Sequence, residues 1–257
     1  MFRHKIPPLK LRSLSRHWDA FGRQDPLWAV LADPTKRYNR WDVNEFFETG
    51  RAEAASVLAY VASLGIDLPH GRALDFGCGV GRITQALAGR FDEVVGVDIA
   101  PSMIEKARNY NKCGERCRFV LNRADNLLAF DDASFSFIYS NIVLQHIKPR
   151  YTRRYVGEFL RLLAPGGLAI FQLPSNPAAE LPRSGRLTWL PYPLWRRWRR
   201  LRQVFDFPRM DVYGIPRTDV VALVGQCGGR VVDVVPDVSA GQSWAGFRYC
   251  VARGRNR

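Results

Sequence analysis

Apolar and polar positions along this chain change period several times, and the changes mark its elements. From Trp41 to Leu64 the apolar residues Phe46, Phe47, Ala54, Val57, Leu58, Val61 and Leu64 recur at helical spacing, and Gly65 follows as a terminator. A rhythm of short apolar runs and amphipathic stretches then begins. It predicts strands over 73–76, 93–98, 118–121, 135–140 and 168–173, with helices over 82–90, 101–110 and 152–163. Pro101 suits a first helical turn, and Ala164-Pro165-Gly166-Gly167 reads as the turn before the fifth strand. Residues 174–212, rich in Pro, Trp and Arg, break the rhythm as an insertion. A helix over 217–227 and strands over 231–235 and 247–251 resume it. Strands alternating with helices predict a doubly wound α/β fold, a mostly parallel sheet with helices on both faces. Residues 1–40 are basic and aromatic, carry Pro7-Pro8, Pro26 and Pro34, and read as an extension with one short helix near 15–21. The expected division is an extension with its helix over 1–65 and an α/β domain over 66–257.

Candidate chemistry begins in the first strand–helix unit. Gly77, Gly79 and Gly81 follow the apolar run Ala73-Leu74-Asp75-Phe76, where missing side chains let backbone approach a ligand. The spacing is G-x-G-x-G, and Arg82 stands where the last glycine of a dinucleotide fingerprint would be. Asp75 would repel a pyrophosphate but suits the ammonium of a methionyl group, which favours S-adenosylmethionine over NAD. Asp98 ends the second strand 21 positions after Gly77, close to the spacing at which an acidic residue meets a ribose. Its competing reading is a helix cap. Ile99 and Met103 are placed to flank an adenine, or simply to pack their helix.

The segment from Ala73 to Arg82 resembles motif I of the class I S-adenosylmethionine-dependent methyltransferases. Val95–Met103 resembles their second motif, Ser134–Ser140 their fourth strand, and Leu162–Gly167 the turn before strand five. The resemblance is close over about residues 70–175 and loose beyond. It implies a seven-stranded sheet whose last strand runs antiparallel. It implies cofactor contacts from Asp75, Gly77, Cys78, Gly79, Arg82, Asp98, Ile99, Met103 and Ser140, and from Asp125 in the segment after strand three. Ser136 departs from the family, which commonly has Asp there.

Methyl transfer from a sulfonium is an in-line displacement, for which the protein supplies alignment and a dry cleft. His146 follows strand four, at the sheet edge where ligands gather, and is the candidate general base for a hydroxyl acceptor. The competing reading has it packing below the cofactor. Tyr213 and Arg217, just before the late helix, are candidate acceptor contacts because the family's substrate cleft borders this region. The run Trp195-Arg196-Arg197-Trp198-Arg199-Arg200 admits three readings: a lid over an anionic acceptor, a membrane-surface helix, or a solvated face.

The formal charge of +14 draws attention to anionic partners, yet arginine is spread along the whole chain, which equally fits a compositional habit. The five cysteines are odd in number and scattered; Cys113 and Cys117 lack the second pair a zinc site needs. No metal is expected, and a reduced, cytoplasmic setting is. The N-terminus lacks the apolar stretch of a secretory signal, and no run approaches the ~18 apolar residues of a membrane span. The leading reading is a methyltransferase acting on a small-molecule acceptor of specialised or saccharide metabolism. An RNA methyltransferase and a non-catalytic binder of the same fold are the alternatives. Against RNA stand the lack of an Asn-Pro-Pro-Tyr-type motif and of a separate RNA-binding module.

Overall fold

The computed structural model describes residues 9–177 and 210–254. Seven strands form one sheet: β1 (Arg72–Phe76), β2 (Glu93–Asp98), β3 (Cys117–Leu121), β4 (Phe135–Ser140), β5 (Leu163–Pro177), β6 (Gly229–Asp237) and β7 (Trp244–Arg253). Their spatial order is β3-β2-β1-β4-β5-β7-β6. The first five run parallel, and β7 is antiparallel to both β5 and β6. The doubly wound sheet and its antiparallel last strand agree with the expectation. β4 is buried along its whole length, as a central strand covered on both faces must be.

Seven α-helices accompany the sheet among the described residues: α1 (Leu9–Gln24), α2 (Pro26–Val30), α3 (Val43–Ser63), α4 (Arg82–Leu87), α5 (Pro101–Tyr110), α6 (Pro149–Leu162) and α7 (Arg217–Gln226). One face of the sheet packs Phe76, Val95, Ile138 and Phe171 against Tyr155, Val156 and Phe159 of α6 and Val220 and Val224 of α7. The other packs Ala73, Val94, Phe137 and Ile170 against Ala54, Val57 and Val61 of α3 and Ile83 and Leu87 of α4.

The extension is more ordered than the sequence reading allowed. α1 covers 16 residues rather than the seven expected, and buries Leu11, Ser15 and Phe21. α2 and a 3-10 turn over Pro34–Lys36 follow. Asp42 caps α3 by accepting from the Glu45 N–H at 2.9 Å. The turn expected at 164–167 is a bulge inside β5: Phe135 pairs with Leu163, and Phe137 next with Leu168. β5 also runs on to Pro177, opposite Trp244, so the first positions assigned to the insertion belong to the sheet. The Trp195–Arg200 run lies outside the described residues.

Candidate active site

Strands β1 and β4 are neighbours, but the chain leaves them in opposite directions, β2 and β3 to one side, β5, β7 and β6 to the other. Such a switch point opens a crevice beyond the carboxyl ends of the strands. Here it is a cleft lined by the ends of β1, β2 and β4, the glycine loop and helices α1 and α2.

The glycine loop forms its floor. Gly77 and Cys78 donate their N–H groups to the Val97 carbonyl, which ties the loop to β2. Gly79 has φ +52°, and a Cβ there would lie 2.4 Å from Cγ2 of Val30, so only glycine lets α2 close over the loop. The Gly79 N–H donates to Oδ2 of Asp98 at 2.9 Å, and the Ala100 N–H donates to Oδ1 at 2.8 Å. One donor per oxygen fixes the Asp98 carboxylate and leaves each oxygen further acceptor capacity. Burial raises its pKa, and the two N–H groups act against that rise.

Asp75 is buried and accepts from the Thr84 hydroxyl at 2.6 Å. Burial pushes its pKa up to about 7; the nearby Glu53 and Asp98 charges add to the rise, while Thr84 and Arg82 oppose it. Arg82, only 5% exposed, donates to Glu53 at 2.6 Å and to the Thr49 hydroxyl at 3.2 Å. The other oxygen of Glu53 accepts from the Tyr139 hydroxyl and from Nδ2 of Asn141, both at 2.8 Å. Glu53 reaches this position because α3 passes close to α4: a Cβ on Gly50 would lie 2.6 Å from the Arg82 carbonyl oxygen.

The roof comes from the extension. Leu11, Leu14 and Trp18 of α1, with Ala29 and Val30 of α2, line the cleft. α1 is fastened beside Asp98: the Ser15 hydroxyl donates to the Ile99 carbonyl at 2.8 Å, and the Ser102 N–H donates to Asp19 at 2.9 Å. On the β4 side stands Ile142, with φ +59°. Left-handed backbone is strained for a β-branched residue, and such strain gathers at functional sites. It turns the chain so that Val143 packs over Gly77.

His146, in a 3-10 turn over Leu144–His146, is 8% exposed. Its Nδ1 lies 2.8 Å from the Asp211 carbonyl, and its Nε2 lies 3.1 Å from Nε2 of Gln145. A carbonyl only accepts, so Nδ1 carries the proton, and the Nε2 lone pair receives the Gln145 amide. Burial lowers the His146 pKa, and His17 lowers it further. The imidazole is therefore neutral. With Leu11, Leu14 and Trp18 it also lines a second cavity, completed by Ser13, His17, Lys148, Tyr151, Met210, Asp211 and Tyr213.

The structure thus brings Asp75, Gly77, Cys78, Gly79, Arg82, Asp98, Ile99, Met103 and His146 around one cleft, and Tyr213 to the adjoining cavity. Three expected contacts lie elsewhere. Asp125 is not among the lining residues and pairs with Arg154 of α6, while Asn122 of the same segment lines the cleft. The Ser140 hydroxyl donates to the Phe76 carbonyl and binds β4 to β1. Arg217 stacks over Phe247 at 5.4 Å and lines neither cavity. Glu53, Asn141 and the α1 residues were missed; the apolar spacing of Leu11, Leu14, Trp18 and Phe21 was the available signal for α1. Among the described residues no cluster could hold a metal ion.

The donor set fits S-adenosylmethionine. Among the described residues three carboxyl groups, Glu53, Asp75 and Asp98, and one cation, Arg82, which is already paired, line the cleft. Oδ1 of Asn141, a cleft residue, is buried with no hydrogen-bond partner. Such a lining suits a ligand with cationic and hydroxyl groups.

Residues 73–167 match a family model described as a methyltransferase domain. The chain is 34% identical over 139 residues to trans-aconitate 2-methyltransferase of Methylobacterium radiotolerans, covering 53% of this chain and 50% of that protein. It is 28% identical over 167 residues to the ubiquinone biosynthesis O-methyltransferase of Xanthomonas campestris pv. campestris, covering 64% and 59%. The match therefore spans about half the length of these curated relatives. In fold it is similar to magnesium protoporphyrin IX methyltransferase from Synechocystis with bound SAH, at a TM-score of 0.61 and 16% identity, over 95% of this chain and 99% of that one. With the glycine loop, Asp98 and the switch-point cleft in one place, residues 73–167 form a methyltransferase domain, on a fold similar to that of S-adenosylmethionine-dependent methyltransferases.

Proposed function

We propose that this protein transfers a methyl group from S-adenosylmethionine to a small-molecule acceptor. The observation that carries the reading is the cleft itself: nine residues expected to hold the cofactor or serve the transfer converge on it. Asp98 is the candidate for the ribose hydroxyls, Ile99 and Met103 for the adenine, and Asp75, with Glu53 and Asn141, for the methionyl ammonium. Bound there, the cofactor supplies an electrophilic methyl on a sulfonium. The protein's residues align the acceptor and exclude water. Trp18, in T-shaped contact with His146 at 5.2 Å, and Leu14 roof the cleft against solvent. Among the described residues His146 is the one ionisable side chain that lines both cavities, and this supports it as the candidate residue at the point of transfer.

A small-molecule acceptor is supported by the second cavity adjoining the cleft and by relatives named for trans-aconitate and for ubiquinone biosynthesis. All five cysteines are free, which suits a reducing, cytoplasmic setting. The test is incubation with methyl-labelled S-adenosylmethionine and separate sugar, lipid and RNA fractions. Label should enter a low-molecular-weight compound and leave the RNA unlabelled. Label in RNA would move the protein to the nucleic-acid reading. Cofactor binding with no transfer to any fraction would make it a non-catalytic binder.

A further inference from the structure

The two cavities share a wall but differ in chemistry. Among the described residues the cleft carries three carboxyl groups and one cation that is already paired. The second cavity carries Lys148 and His17, and one carboxylate, Asp211, which accepts from the Tyr213 hydroxyl at 3.4 Å. Its remaining walls are largely rings and apolar chains: Trp18, Tyr151, Tyr213, Leu11 and Leu14. Flat ring walls accommodate a planar apolar body, and the Lys148 ammonium adds a cationic group to the cavity.

His146 limits the acceptor's nucleophile. Its Nδ1 proton is held by the Asp211 carbonyl, and its Nε2 lone pair by the Gln145 amide. Oε1 of Gln145 is buried without a partner, so rotating the amide to free Nε2 would bury a second unmatched contact. The ring is thus committed as a neutral wall. Such a site serves best an acceptor that arrives without a proton to lose. A hydroxyl and an ammonium both have one to lose near neutral pH; a carboxylic acid, with its pKa about 4, has already lost it.

From this arrangement we infer that the second cavity takes a carboxylic acid with a planar apolar body, and that the reaction forms its methyl ester. The inference rests on the methyl-transfer reading above. The carboxylate oxygen uses a lone pair to form the new O–CH3 bond as the S–CH3 bond breaks, and the electron pair of that bond stays on sulfur. The sulfonium becomes a neutral thioether, the carboxylate becomes a neutral ester, and no proton moves. Opposite charges vanish together, and a dry cleft assists their mutual attraction.

The test uses the protein loaded with S-adenosylhomocysteine and titrates it with trans-cinnamate and with cinnamyl alcohol, which differ at the nucleophile and share the ring. Cinnamate should bind at least about tenfold more tightly. Lys148→Gln, a change at an exposed position, should weaken cinnamate about threefold or more and leave the alcohol unchanged, in keeping with a partly screened ion pair. With methyl-labelled S-adenosylmethionine, the label passed to cinnamate should be released as methanol by mild base. Equal or tighter binding of the alcohol, binding of neither compound, or a Lys148→Gln protein that holds cinnamate as tightly as before would overturn the inference. Failure to load S-adenosylhomocysteine, seen before either probe is added, would instead bring down the methyl-transfer reading beneath it.

Discussion

Asp75 gives the site its pH dependence. Its pKa of about 7 in the folded chain stands above the roughly 3.9 of an unfolded carboxyl. Between those values the native state holds a proton that the unfolded state has released, so the contribution to stability declines as pH rises from about 4 to 7. Asp75→Asn should flatten that part of the Tm–pH curve; an unchanged slope would show that the carboxyl titrates normally. A cationic ammonium favours the ionised form. S-adenosylhomocysteine should therefore bind about tenfold more weakly at pH 6 than at pH 8, with proton release visible as a dependence of the heat on buffer ionisation enthalpy. His146 gives a second residue-scale prediction. As a neutral wall it should lose less than about tenfold in kcat on His146→Ala with a carboxylate acceptor, against the roughly 10²–10⁴ typical when a general base is removed. The loop glycines and Asp98 were readable in sequence because their function is local. Asp125 was not: it pairs with Arg154, distant in sequence, and Asn122 three positions earlier lines the cleft.

Helix α1 is where the sequence said more than was read from it. Leu11, Leu14, Trp18 and Phe21 are spaced for one face of a helix, but the sequence reading places only a short helix near 15–21 in a basic, proline-containing extension. In the structure that face roofs the cleft, and Asp19 caps α5 across the gap by accepting from Ser102. Asp19→Ala should lower stability by about 0.5–2 kcal/mol, the scale of a lost N-cap, and loosen the roof. Chemical denaturation measures the first, and faster amide exchange in α1 the second. Glu53 left no local signal at all, since a glutamate on a polar helix face is ordinary until the packing of α3 against α4 is known. Gly50 makes that packing close. Gly50→Ala should destabilise by about 1–3 kcal/mol through overpacking and displace the Arg82–Glu53 pair. A mutant of unchanged Tm would show that the helices have room to separate.

At the scale of the whole molecule, alternating periods predicted a parallel α/β sheet. The antiparallel β7 came from the family resemblance, because periodicity carries no strand order or direction. The basic charge has a partly structural use: Arg72 with Glu93, Arg161 with Asp132 and Arg248 with Asp237 join separate segments of the fold. Cys113 and Cys117 are likewise internal, each thiol directed at a backbone carbonyl of α4. What unites these layers is one cleft at the sheet's switch point, floored by the glycine loop and roofed by α1 and α2. Calorimetric titration of S-adenosylhomocysteine into the wild-type chain and Asp98→Ala tests that claim most directly. The account predicts one site per chain, no comparable binding of NAD, and a loss on Asp98→Ala of about 1.5–3 kcal/mol, the scale of hydrogen bonds to a charged group. Tight NAD binding, or an Asp98→Ala protein that binds S-adenosylhomocysteine as the wild type does, would contradict it.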